Sequence, residues 1–177
     1  MTKNILLLFC LSLLTFSCKK LDKYTQFDLP YTQNVSIPSS TVANIPLTIA
    51  TPAIKTNSST KFSGYNTKAD LIESVKLSSL VLVVKSPSGG DFSFLKDMEV
   101  YISANGLAEK KVAWKTSIPD NVGGSLTLDV SNEDLKEYIK KDEISLKVSC
   151  TTDEIITEQY SVDANMVFHV DAKILGI

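Results

Sequence analysis

Val162-Asp163-Ala164-Asn165-Met166-Val167-Phe168-His169-Val170-Asp171-Ala172-Lys173-Ile174 is the stretch that decides the fold class. Every second residue from Val162 to Ile174 is apolar, while Asp163, Asn165, His169, Asp171 and Lys173 fall between them. A period of two sends successive side chains to opposite faces of a strand, so one face of this segment is core and the other meets water. The same alternation recurs at Phe27, Leu29, Tyr31, Val35 and Ile37, and again at Ile45, Leu47 and Ile49. It returns at Met98, Val100 and Ile102, at Leu126, Leu128 and Val130, and at Ile144, Leu146, Val148 and Cys150. Pro30 has no amide to donate to a ladder, which predicts that the first strand is an edge or is interrupted. Leu80-Val81-Leu82-Val83-Val84 is apolar without alternation, which predicts a central strand from Ile72 to Val84 covered on both faces.

The punctuation agrees. Asn105-Gly106 lies between two strand-like runs, and both residues tolerate the positive φ of a type I′ turn, so a tight hairpin is expected there. Residues 55–68, rich in Lys, Thr, Asn and Ser, read as a loop or a weakly paired edge. Ser131 stands three positions before Asp134 in capping-box spacing, and Leu135 and Ile139 share a helical face, which predicts one short crossover helix near 132–141. Seven or eight strands, one small helix and no βαβ alternation predict an all-β domain. Its expected form is a two-sheet antiparallel β-sandwich of immunoglobulin-like type over 27–177.

The amino end has a different character. Lys3 precedes an apolar run from Ile5 to Leu14, then Thr15-Phe16-Ser17 and Cys18. That run is too short for a hydrocarbon core needing about 20 residues, and it reads as a cleaved signal over 1–17. Leu14-Thr15-Phe16-Ser17-Cys18 resembles a bacterial lipobox, although Phe16 is larger than the residue usual at its position. The resemblance implies cleavage before Cys18 and lipid on its thiol, with 18–26 as a tether and the membrane contacted through the N-terminal lipid. Lipidation would also commit Cys18, leaving Cys150 without an intrachain disulfide partner in the processed chain.

Charge and motif content narrow the chemistry. All eighteen basic residues are Lys; Lys3 leaves with the signal, and the remainder face twenty acids. A near-neutral, Arg-free surface argues against a nucleic-acid partner. No Gly-x-Ser-x-Gly, His-Glu-x-x-His, glycine-rich phosphate loop or paired cysteine motif occurs, so no enzyme activity and no cofactor is expected. His169 lacks an adjacent nucleophile motif and reads as a solvated strand residue, with Asp171 its neighbour on the same face. Asp163 and Asp171 would need an Asp-rich loop to complete a calcium site. Cys150 falls on an apolar face and reads as a structural thiol.

Ser86-Pro87-Ser88-Gly89-Gly90-Asp91-Phe92-Ser93-Phe94-Leu95-Lys96, Val100-Tyr101-Ile102-Ser103-Ala104-Asn105-Gly106-Leu107, Asp129-Val130 and Asp134-Leu135-Lys136-Glu137-Tyr138-Ile139 together resemble a group of small uncharacterised lipoproteins of Bacteroidetes-type bacteria. The likeness covers about Val35 to Leu175 and rests on turns and strands, so it carries over no activity. It implies a cell envelope location, in the outer membrane. Lys19-Lys20-Leu21-Asp22, in place of an acidic run after the cysteine, favours the periplasmic face over the cell surface.

Two functions fit these features. One is a non-catalytic protein-binding or scaffolding module that docks an envelope protein partner by a sheet edge or by loops around Phe92, Phe94 and Trp114. The other, ranked second because the chain has only one Trp, is a surface carbohydrate-binding or adhesion module, which needs two or three aromatics on one solvent-facing platform. If Phe92, Phe94 and Trp114 are core, they serve neither.

Overall fold

The computed structural model describes residues 25–173. The signal over 1–17, Cys18, most of the 18–26 tether, and Ile174 to the carboxyl end lie outside the described residues. Ten strands form: β1 (Gln26–Ile37), β2 (Pro46–Ala50), β3 (Ile54–Lys55), β4 (Ile72–Ser86), β5 (Leu95–Ala104), β6 (Leu107–Lys115), β7 (Ser125–Thr127), β8 (Asp129–Val130), β9 (Glu143–Thr152) and β10 (Tyr160–Ala172). Among the described residues two short α-helices, α1 (Ser58–Gly64) and α2 (Lys136–Ile139), and a 3-10 turn over Ala69–Leu71 interrupt them.

The pairing is nested. β5 pairs β6, β4 pairs β7, β2 pairs β9 and β1 pairs β10, all antiparallel, so the chain is one long hairpin turned at Asn105-Gly106. That hairpin rolls up into two sheets, β1-β10-β4-β7 and β2-β9-β5-β6-β8, with β3 added to β9. The expected two-sheet antiparallel sandwich is therefore present, and a rolled double arm of this kind gives it the strand order of a jelly roll.

The predicted alternation is realised. Phe27, Leu29, Tyr31, Val35 and Ile37 are buried on β1, and Val162 to Ala172 are buried at every second position on β10. Together with Leu80, Met98, Ile102 and Leu146 they form one continuous core. β1 is an uninterrupted edge that keeps Pro30, which pairs with Val167.

Four details depart from the sequence reading. β4 is central, between β10 and β7, but Val81 and Val83, on the outer face of their sheet, are only half-buried among the described residues. At the hairpin tip only Gly106 has positive φ, at 75°. The turn is therefore not type I′, and a register shift between Ile102 and Ala104 takes up the strand twist instead.

The polar stretch 55–68 contains α1. Phe62 is fully buried there at 0% exposure, and Thr56 Oγ1 accepts the amide of Ser58 at 3.3 Å. One apolar residue among lysines and serines carries no periodicity, so burial of Phe62 formed the helix against the local composition.

The second helix is α2, shorter than expected. Ser131 Oγ is buried with no hydrogen-bond partner among the described residues, and Leu135, not Ser131, is the N-cap, so the start of the helix is held by Asp134 just before it. Its Oδ1 accepts the Lys136 amide and the Val75 amide, each at 3.0 Å, which fastens the start of α2 to the central strand.

Candidate functional site

The aromatic candidates separate into two groups. Phe92 and Phe94 are core, 0% and 3% exposed, with the Phe94 ring packed 4.7 Å from that of Tyr160. Neither ring is displayed to solvent as a docking aromatic. Trp114 is half-buried and belongs to the outer face of the larger sheet.

A bulge puts it there. On β5 and β6, Val100 pairs Ala113 whereas Tyr101 pairs Lys111, so β6 carries one extra residue at this point. Val112 and Ala113 both turn into the core, and Lys111 and Trp114 emerge on the outer side. Glu99 lies directly opposite Trp114, and Tyr101 lies opposite Lys111.

These side chains form a connected group. Tyr101 Oη donates to Glu99 Oε2 at 2.6 Å, and Lys111 Nζ donates to Glu99 Oε1 at 3.0 Å. Lys111 Nζ also lies 5.7 Å from the Trp114 ring centre, and Lys147 Nζ lies 4.6 Å from that of Tyr101. Lys147 is paired in turn with Glu109. The hydrogen bonds from Tyr101 and Lys111 hold the Glu99 carboxyl below its usual range. The hydrogen bond to Glu99 pushes the Tyr101 phenol up. Beside the aromatics, Asp97, Glu99, Thr116, Ser149 and Thr151 line a shallow depression of about 310 Å³.

Tyr101 and Glu99 were not among the sequence candidates. The signal was available: if Met98, Val100 and Ile102 face the core, then Glu99 and Tyr101 must face out.

The remaining candidates are structural. His169 faces outward as expected, but its partner is Asp28 across the β1–β10 pair, with Nδ1 to Oδ1 at 2.8 Å, rather than Asp171. Asp163 accepts from Asn34 at 3.0 Å and faces Lys85 at 3.9 Å. Cys150 is buried and free, and burial pushes its thiol up to about 11, so it is protonated and unreactive at neutral pH.

The sheet edges are short or covered. On β1, Lys61 Nζ donates to Pro30 O at 3.3 Å and Tyr65 Oη reaches Asp28 O at 3.4 Å. β2 has five residues and begins at Pro46, and β7 has three. The exposed side of β6 carries Lys110 and Lys111, and Tyr138 Oη donates to Ala108 O at 2.6 Å. Charged, proline-bearing or capped edges of this kind resist strand addition.

No family model matches the chain, and no curated protein matches it. Among solved structures, one of Desmodium yellow mottle tymovirus aligns over 86% of this chain and 91% of its own length, at 11% identity and TM-score 0.27. Another comes from a study of promiscuous specificity in carbohydrate-binding modules of the β-sandwich superfamily. It aligns over 84% of this chain and 55% of its own length, at 12% identity and TM-score 0.28.

Proposed function

We propose that this protein is a non-catalytic glycan-binding module held in the bacterial envelope by lipid on Cys18. The observation that carries the reading is the outward pair Trp114 and Tyr101 on one face of the larger sheet, flanked by Glu99, Lys111 and Lys147. A sugar ring offers C–H groups to an aromatic face and hydroxyls to charged groups. Hydrogen bonds to charged groups are roughly twice as strong as neutral ones. Asp97, Ser149 and Thr151 in the adjoining depression add polar atoms along the same track.

Glu99 supports a binding role over a hydrolytic one. A general acid needs a raised pKa, whereas Tyr101 and Lys111 hold this carboxyl low. The closed edges turn the reading away from partner docking by strand addition.

The test is calorimetric titration of the full chain in detergent with a panel of soluble polysaccharides and peptidoglycan fragments. At least one glycan is expected to bind, with affinity falling tenfold or more in Trp114→Ala and in Tyr101→Ala. Absence of binding across the panel, or binding untouched by both substitutions, removes the proposal. Cys18→Ala should abolish incorporation of labelled palmitate and release the protein from membranes.

A further inference from the structure

We infer that the loop end opposite Gln26 docks a partner polypeptide through a segment bearing both lysine or arginine and aliphatic side chains. β1 runs from Gln26, paired with Asp171, to Ile37, paired with Tyr160, so this end lies roughly 35 Å along the strands from the amino-terminal one. Four connections meet there, over 38–45, 87–94, 116–124 and 153–159. Ser40 and Ile156 join the first to the last through two backbone hydrogen bonds of 2.8 Å. Phe92 N donates to Gly123 O at 3.1 Å, joining the other two.

Two apolar side chains stand out from this end, Val42 at 53% and Ile155 at 55% exposure. Both sit on the bridged pair of loops, and Ile155 helps line a concavity of about 450 Å³ together with Ser93, Phe94, Glu154, Thr157 and Tyr160. A concavity of mixed polar and apolar lining with an exposed aliphatic side chain on it is a place where a partner's apolar side chain can leave water.

Charge names the partner's other feature. The four connections contain Asp91, Asp120, Asp153, Glu154 and Glu158 and no Lys. On the sheets and beside the second helix, by contrast, Glu99, Glu109, Asp129, Glu133 and Asp163 each face a lysine. Asp153 Oδ1 is buried without a hydrogen-bond partner among the described residues. Asp91, Glu158 and Glu154 all bear on the Tyr160 phenol, adding to its burial in raising it. A seat of mixed polar and apolar lining, among carboxylates that face no lysine among the described residues, is complementary to a cationic, aliphatic segment. This surface is separate from the Trp114 face and does not depend on glycan binding.

The probe is a fluorescent twelve-residue peptide of alternating Lys and Leu, titrated into the full chain in detergent. Two control peptides replace Lys by Glu or Leu by Ser. The Lys-Leu peptide should bind at least tenfold tighter than either control. Glu154→Lys with Glu158→Lys, and separately Ile155→Ser, should each weaken it tenfold or more. These side chains are on exposed loops, so unchanged circular dichroism and thermal midpoint confirm that the variants fold. Glu133→Gln with Glu137→Gln, at the opposite end, should leave binding unchanged. Equal affinity for the Lys-Ser peptide, or equal loss in the Glu133/Glu137 variant, would mean nonspecific charge attraction and overturn the inference. So would full binding in Ile155→Ser.

Discussion

Tyr65 lies flat on Phe27, ring centres 4.0 Å apart and planes within 9°. Phe27 is buried at the start of β1 and Tyr65 follows α1, so the stack fastens the helix over the open side of the edge strand. Tyr65→Ala should cost about 1 kcal/mol, the usual worth of an aromatic pair beyond its buried area. Combined with Lys61→Glu it should also produce concentration-dependent association, read by analytical ultracentrifugation. A monomer at all concentrations would mean that the cap does not protect this edge.

Phe62 makes α1 part of the core. Phe62→Ala is expected to lose about 3–5 kcal/mol in denaturant unfolding. Thr60→Ala, on the same short helix and exposed, should stay within about 0.5 kcal/mol. Similar small effects from both would return 55–68 to the status of a loop.

The capping-box spacing makes Ser131 the cap and Asp134 its partner, but it is Asp134 whose carboxylate holds the helix start. Asp134→Ala should cost about 1–3 kcal/mol because the Val75 amide is left without its acceptor. Ser131→Ala should be near neutral, since that hydroxyl has no partner among the described residues. Burial works against the Asp134 charge, but the amides of Val75 and Lys136 outweigh it and leave the carboxyl below its usual range. Its contribution is thus present above the unfolded pKa and lost as pH falls through the lower folded value.

On the alkaline side the sign is opposite. Burial pushes Cys150 from 9.0 to about 11 and Tyr31 from 10.0 to about 12. The unfolded chain therefore releases these protons first. Stability from both groups is intact below pH 9 and declines from there as pH rises through the folded values. Cys150→Ala should flatten the part of this decline between pH 9 and 11, on the order of 2 kcal/mol, as read by urea titration at each pH. In the native protein at pH 8, Cys150 should resist a thiol reagent until the chain is unfolded.

How far the sequence was legible follows from the range of each signal. Val162 to Ala172 and the Asn105-Gly106 hairpin are local patterns, and strand and hairpin are both found, the turn type alone differing. Burial of Phe62 depends on contacts with distant strands and leaves no local period. The order of strands in the sheets is likewise nonlocal, since alternation says which face of β10 is core but not that β1 and β4 flank it. Trp114 was visible as an aromatic, but its direction depends on the β6 bulge, which two adjacent buried residues, Val112 and Ala113, mark only once burial is known.

The nested pairing also sets a timetable. Synthesis proceeds from the amino end, and β1 is among the first segments made, yet its ladder partner β10 is the last strand of the described chain. Nothing emerging before residue 107 can complete the central hairpin, so the first half of the protein waits unpaired for the second. Contacts of such long sequence separation form slowly. A proline in β1, Asn and Thr on its outer side and a lysine close by are then more than decoration of a finished edge. They are what keeps a twelve-residue strand single during the interval in which any other extended chain could take the place reserved for β10.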